Sequence, residues 1–110
     1  MTRGRTEQAG SRLTFGNITL DRASFELFSP VGSFRLANKE YQIMELLLRN
    51  PRQIVSAERL LERIWGYDSE IEVNVVWVYI SYLRKKLSAL HADIQIKAAR
   101  NAGYSLEALP

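Results

Sequence analysis

The sequence contains no cysteine in its 110 residues, which excludes disulfides and thiolate metal sites and is typical of a reducing compartment. It also lacks any apolar run close to the ~20 residues that a membrane-spanning helix requires. The first ten residues, MTRGRTEQAG, have no apolar core of the kind that marks a secretory signal. We therefore expect a cytoplasmic protein that is not embedded in a membrane.

Features of enzymes are scarce as well. The one histidine, His91, follows the third predicted helix in a polar turn, which favours a solvated side chain over a general base. Neither of the phosphate-binding glycine motifs, GxxxxGK followed by Ser or Thr and GxGxxG, occurs, and no His, Asp or Glu cluster has the spacing of a metal site. The sequence thus predicts no enzyme, no cofactor and no metal.

The charge of the chain is unevenly distributed. The net charge is +3, but residues 13–73 contain seven Lys or Arg against nine Asp or Glu. Residues 74–105 contain five basic residues against one acidic residue. Such a basic segment is often only a solvated surface, yet a basic half beside an acidic half is also expected where one side of a protein meets a polyanion.

The chain begins with a polar stretch, which is followed by a set of predicted short strands. Residues 1–12 are polar and without periodicity, and we interpret them as a flexible leader or linker. The runs LTFGNITLD, SFELFS and SFRLA then predict three or four short antiparallel strands. The folded domain as a whole is predicted to span residues 13–108.

Three helices and a hairpin come after the strands. Asn38 is predicted to cap the first helix, and Ser56 the second, which Gly66 ends. A third helix starts near Asn74, and a β-hairpin turns near residues 101–103. The order of sheet, three helices and hairpin predicts the α+β class.

The third helix, NVVWVYISYLRKKL, carries two apolar faces when it is placed on a helical wheel. One face is a core stripe of Val73, Val76, Ile80, Leu83 and Leu87. The other lies nearly opposite, where it is not expected to reach the same core, and comprises Val75, Val78, Tyr79, Tyr82 and Lys86. This second face suits a helix packed between two layers, a protein-interaction module that binds a partner helix, or a helix in the major groove of DNA. The second face offers methyl groups, phenol hydroxyls and cations, and a hairpin with Arg100 near its tip follows the helix. These groups can contact thymine methyls, base edges and phosphates, so the DNA interpretation is favoured.

Four segments, LANKEYQIMELLLRNP, IVSAERLLERIWG, NVVWVYISYLRKKL and RNAGYSL, stand in this order along the chain. In them the chain resembles the C-terminal DNA-binding domain of OmpR/PhoB-class response regulators, over about residues 13–106. The resemblance implies a winged helix-turn-helix with an N-terminal antiparallel sheet, a third helix that reads DNA, and a C-terminal wing. It also implies the output domain of a two-component system, whose phosphorylated receiver domain is missing from these 110 residues.

The resemblance implies specific DNA-binding residues. The groove-facing positions are Asn74, Val75, Val78, Tyr79 and Tyr82. Arg84 and Lys86 belong to the family's Leu-Arg-x-Lys motif, in which Arg84 would meet phosphate, and Arg100 matches a wing arginine at the minor groove. Trp65 matches a tryptophan that approaches the DNA backbone in relatives, although packing explains it equally well. In the acidic connection YDSEIE, the resemblance implies an RNA polymerase contact through Tyr67, Asp68 and Glu70.

Three departures from the family pattern change what is expected. Trp77 replaces a usual aspartate, Asn101 replaces a wing glycine, and Ala37 replaces a capping threonine, which leaves Asn38 to cap the first helix. The groove-facing positions lack arginine, so we expect readout through thymine methyls and groove shape at A·T-rich half-sites. The resemblance further implies two copies bound head-to-tail on direct repeats.

Overall fold

The computed structural model describes residues 11–66 and 70–110. Nine elements follow one another: β1 (Arg12–Phe15), β2 (Ile18–Asp21), β3 (Glu26–Ser29), β4 (Gly32–Arg35), α1 (Asn38–Arg49), α2 (Ala57–Ile64), α3 (Asn74–Ala89), β5 (Ile94–Ala99) and β6 (Gly103–Ala108). This order confirms the predicted α+β winged helix-turn-helix. Most of the predicted leader, residues 1–10, and the loop residues Tyr67 and Asp68 lie outside the described residues.

The N-terminal sheet is an antiparallel meander in the order β1-β2-β3-β4. Its strands are short because Gly16 (φ +61°) and Phe25 (φ +65°) turn the chain through the left-handed region. The run SFELFS therefore does not form one strand: Phe25 lies in the turn before β3 and stacks on Tyr41 of α1, with 4.1 Å between ring centroids. The inward side chains Leu20 and Leu27 are fully buried against the helices.

The start of α1 differs from the prediction. The N-cap residue is Ala37, in an extended conformation (φ −68°, ψ 163°), and Asn38 is already inside the helix. Alanine has no side-chain acceptor, but the carboxylate of Glu40 reaches back and accepts from the Ala37 N–H at 3.0 Å. One half of a capping box therefore stabilises this terminus, and it is supplied from within the helix.

The other two helices begin and end close to their predicted positions. The Oγ of Ser56 accepts from the Arg59 N–H at 3.0 Å and caps α2, and Gly66 leaves α2 with φ +99°. In α3 the predicted core stripe is confirmed, since Val76, Ile80, Leu83 and Leu87 are all buried. Val73 is the exception: it precedes the helix as its N-cap residue and is exposed.

The hairpin packs back onto the segment between α1 and α2. Val55 and Tyr104 exchange backbone hydrogen bonds of 2.8 and 2.9 Å. Gly103 lies beside this bridge with φ +139°, where a Cβ atom would meet the Val55 carbonyl. Arg100 and Asn101 begin the turn between β5 and β6, and Asn101 takes up φ +61°, so it replaces the wing glycine without losing the turn.

No helix in residues 11–66 and 70–110 is both long and apolar enough to cross a membrane. Over the same residues, no three acidic or histidine side chains come together in a way that could hold a metal ion.

Candidate nucleic-acid interface

One row of side chains on α3 is left uncovered by the fold. Asn74, Val78 and Tyr82 are spaced four residues apart, so they lie on one face of the helix. All three are exposed, Val78 by 37% and Tyr82 by 46%. We call these three residues the reading face. It presents an amide, a branched aliphatic group and a phenol on a helix whose opposite side is buried in the core.

Two of the predicted groove-facing residues lie elsewhere. Val75 and Tyr79 are half-buried and pack against the core, so the expectation that the second apolar face cannot reach the core is wrong for them. The ring of Tyr79 lies 5.5 Å from that of Trp65 at the end of α2. It also meets Tyr82 edge-on at 5.9 Å. Tyr79 therefore supports the reading face from behind.

Trp65 is held between two helices. Its ring contacts Tyr79 of α3 on one side, and the Lys39 Nζ of α1 lies 5.3 Å from its centroid. The same ammonium donates to the Ile64 carbonyl at 3.0 Å, where it satisfies an acceptor at the C-terminus of α2. Packing thus accounts for Trp65 in this structure, and a contact of Trp65 with the DNA backbone stays a prediction.

Arg84 has a partner that the sequence did not predict. Its Nε and Nη2 donate to the backbone carbonyl of Ile96 in β5, at 3.1 and 2.9 Å. The guanidinium is half-buried in this position and joins α3 to the wing. The predicted phosphate contact of Arg84 stays a prediction beside this structural role.

Lys86 is likewise engaged within the protein. Its Nζ lies 2.7 and 2.8 Å from the two carboxylate oxygens of Glu40. The side chains of Lys86 and Glu40 are 26% and 6% exposed, so the pair is largely shielded from solvent. The adjacent Lys85, by contrast, is exposed. Lys85 belongs to the basic run at the end of α3 but is not among the predicted DNA-binding residues, although it lies only about 20° from Val78 around the helix axis.

The wing presents a second basic element. Arg100 is exposed at the first position of the β5–β6 turn. An open concavity of about 420 Å³ separates this turn from the start of α2 and is lined in part by Glu58, Ala99 and Gly103. Arg100 is therefore exposed on a turn beside the start of α2, and its contact with the minor groove stays a prediction.

Comparison with known proteins identifies the family. A family model described as "Transcriptional regulatory protein, C terminal" matches residues 32–106. The transcriptional regulatory protein DltR of Streptococcus agalactiae serotype III is 43% identical over 107 residues, which make up 94% of this chain and 48% of that protein. This chain belongs to that family. It is the C-terminal domain of an OmpR/PhoB-type response regulator, and it spans about half the length of the curated relatives it matches.

Solved members of this response-regulator class have the same fold. The C-terminal domain of the nisin resistance regulator NsrR is 40% identical, with a TM-score of 0.73 over 86% of this chain and 94% of that one. The DNA-binding domain of Klebsiella pneumoniae RstA, solved in complex with the RstA box, is 27% identical, with a TM-score of 0.74 over 87% and 96% of the two chains. The family is one of DNA-binding transcription regulators and is not a class of enzymes.

Trp77 is the position at which the resemblance leads us to expect a replaced aspartate. Its indole is 56% exposed, and its backbone carbonyl accepts from the Ser81 Oγ at 3.1 Å. Trp77 lies about 100° from Val78 around the helix axis, on the same side of α3 as Arg84. The substitution therefore adds an exposed aromatic ring beside the reading face, between it and the wing side of the helix.

Proposed function

We propose that this domain binds double-stranded DNA sequence-specifically and so regulates transcription as the output domain of a two-component response regulator. In this proposal α3 enters the major groove and the wing follows the neighbouring minor groove. The observation that carries it is the reading face, an exposed row of Asn74, Val78 and Tyr82 on a helix that is otherwise anchored by its core stripe. Membership in a family of DNA-binding transcription regulators supports it.

The chemistry of this surface favours particular sites. The reading face carries no arginine, which is the usual bidentate partner of guanine, while Val78 offers methyl groups to thymine. We therefore propose A·T-rich half-sites. We also propose that two copies bind head-to-tail on direct repeats, that Arg84 and Arg100 add attraction for phosphate, and that Trp65 lies near the DNA backbone. Lys86 belongs to the same family motif as Arg84, but its ammonium is held by the Glu40 carboxylate.

Selection of duplexes from a random pool, followed by titration over a range of salt concentrations, tests the proposal. Binding to DNA phosphates should make log K fall linearly with log salt, by ~0.9 for each phosphate contact. Enrichment of one sequence with such a slope supports the function. An affinity that hardly changes with salt would instead support the protein-interaction module, because apolar contact is weakly screened. A pool that stays random despite a steep slope would refute sequence-specific binding.

A second partner is proposed at the acidic connection between α2 and α3. Glu70 and Glu72 are exposed there, and together with Asp68 they would repel DNA phosphates. We propose that Tyr67, Asp68 and Glu70 contact RNA polymerase in the cytoplasm once a receiver domain of the regulator has been phosphorylated. Glu70→Gln should lower transcription in vitro while DNA affinity stays unchanged or rises, and a loss of DNA binding by the folded variant would refute this contact.

A further inference from the structure

The neighbouring lysines at the end of α3 occupy different environments. Lys86 is bound by both carboxylate oxygens of Glu40, and its side chain is mostly covered. Lys85 is exposed and has no ion pair or hydrogen bond from its side chain to the rest of residues 11–66 and 70–110. Replacing either lysine by a neutral residue would change the net charge of the protein equally. The structure nevertheless predicts different effects of the two substitutions on DNA binding and on stability.

Glu40 connects Lys86 to the first helix. One of its oxygens accepts from the Ala37 N–H at 3.0 Å, in place of the side-chain cap that alanine lacks. The same carboxylate binds Lys86 at 2.7 Å. A single buried group therefore stabilises the N-terminus of α1 and fixes the position of α3 against it. Because the carboxylate cancels the ammonium charge nearby, the pair offers a phosphate little net attraction.

Lys85 lies on the DNA side of the same helix. It lies only about 20° from Val78 around the axis, near the middle of the reading face, whereas Lys86 lies about 80° from Val78 at the edge of that face. Lys85 also lines an open concavity of about 430 Å³ together with Phe34, Tyr82 and the Glu40–Lys86 pair. Both lysines lie within one turn of Tyr82, but the ammonium of Lys85 is exposed there, whereas that of Lys86 is held by Glu40.

We infer that Lys85 contacts a DNA phosphate, and that Lys86 is a positioning residue that acts on DNA only through Glu40 and the orientation of α3. This division of roles rests on the proposed DNA-binding function and assigns the contact to a lysine that the family motif passes over. If the two lysines have these different roles, substituting them should change the salt dependence of DNA binding differently, even where both substitutions lower affinity.

The test compares Lys85→Met, Lys86→Met and Glu40→Gln on the selected duplex and on random DNA. Lys85→Met should lower the log–log salt slope by ~0.9, weaken binding equally on both duplexes and leave the unfolding midpoint unchanged. Lys86→Met should lower the unfolding midpoint, reduce the preference for the selected duplex and keep the wild-type slope. Glu40→Gln should also lower the midpoint and the preference, and because it frees the Lys86 ammonium its slope is not used as a test. Arg49→Met, which removes an exposed cation at the other end of α1, is the matched control and should bind as the wild type does.

Lys86→Met gives the sharpest contrast. If Lys86 were itself a phosphate contact, its loss would lower the log–log salt slope by ~0.9, and that result overturns the inference. A Lys85→Met variant with an unchanged slope overturns it too. Lys86→Gln, which is neutral but can still donate a hydrogen bond to Glu40, replaces Lys86→Met if that variant does not fold, and it should keep the wild-type slope. If the wild-type domain itself shows no salt-dependent DNA binding, the proposed function fails instead.

Discussion

Arg84 in α3 and Ile96 in β5 are joined by two hydrogen bonds, from Nε and Nη2 of the guanidinium to one backbone carbonyl, at 3.1 and 2.9 Å. Arginine alone presents adjacent donors in a fixed planar fork. The contact sets the wing at a defined position relative to the recognition helix. A major-groove element and a minor-groove element can bind one duplex together only if that position is maintained.

We therefore expect Arg84→Lys to behave more like Arg84→Met than like the wild type. Lysine keeps the charge but not the fork, and losing these charged hydrogen bonds should lower the free energy of unfolding by about 1–3 kcal/mol. Urea unfolding and DNA titration of both variants check this. If Arg84→Lys retains wild-type stability and affinity while only Arg84→Met loses salt slope, Arg84 acts mainly as a phosphate contact.

Tyr82 and Tyr79 are expected to separate recognition from stability. Tyr82 is exposed, so Tyr82→Ala should cost roughly 1–3 kcal/mol on the preferred site and change stability by less than about 0.5 kcal/mol. Tyr79 is half-buried against Trp65, so Tyr79→Ala should lower the free energy of unfolding by about 2–3 kcal/mol, less than for a fully buried aromatic residue. Tyr82→Phe distinguishes the hydroxyl from the ring. If Tyr82→Ala leaves the sequence preference unchanged, the reading face does not recognise the DNA sequence.

Arg100 on the wing allows a test of shape readout. A narrow A·T minor groove has a deepened negative potential that attracts arginine. Arg100→Ala should therefore weaken binding more on A·T-rich flanks than on G·C-rich flanks, and it should lower the salt slope by ~0.9. Arg100→Lys is the control that keeps the charge. Equal losses on both flanks would make Arg100 a contact to phosphate without sequence preference.

Tyr41 should make the fold sensitive to alkaline pH. Burial, and after it the charge of Glu45, raise the pKa of the Tyr41 phenol above its ordinary value. Because the folded pKa is the higher one, the contribution of Tyr41 to stability is fully present below about pH 10 and is lost as pH rises through the folded pKa. Tyr41→Phe keeps the stack on Phe25 and has no phenol to ionise. Its free energy of unfolding should therefore fall less than that of the wild type above about pH 10. If the free energies of both proteins fall equally with pH, ionisation of Tyr41 is not the cause of the alkaline loss of stability.

The elements of this fold could be predicted from the sequence because each carries its own local pattern. The short N-terminal strands, the Ser56 cap and the core stripe of α3 all follow from short-range spacing. The partners of the site residues could not, because Glu40 and Lys86 are 46 residues apart in the chain and meet only once the helices have packed. In the same way, a helical wheel predicts the direction in which Tyr79 points from α3, but it does not predict that Trp65 of the neighbouring segment packs against it. The observed N-cap residue of α1 is Ala37 and not the predicted Asn38, because the Glu40 side chain accepts a hydrogen bond from the Ala37 N–H.

Spacing of the half-sites tests how two copies are arranged on DNA. A head-to-tail pair on direct repeats places both recognition helices on one side of the duplex, with half-site centres about one turn, or roughly 10 bp, apart. Inserting about half a turn rotates the second copy to the opposite side and should abolish cooperative binding, whereas inserting a full turn restores the common side. Gel shifts on the three duplexes at equal salt report the ratio of doubly to singly bound DNA. Equal cooperativity on all three would exclude a contact between neighbouring copies, because no such contact survives a half-turn rotation.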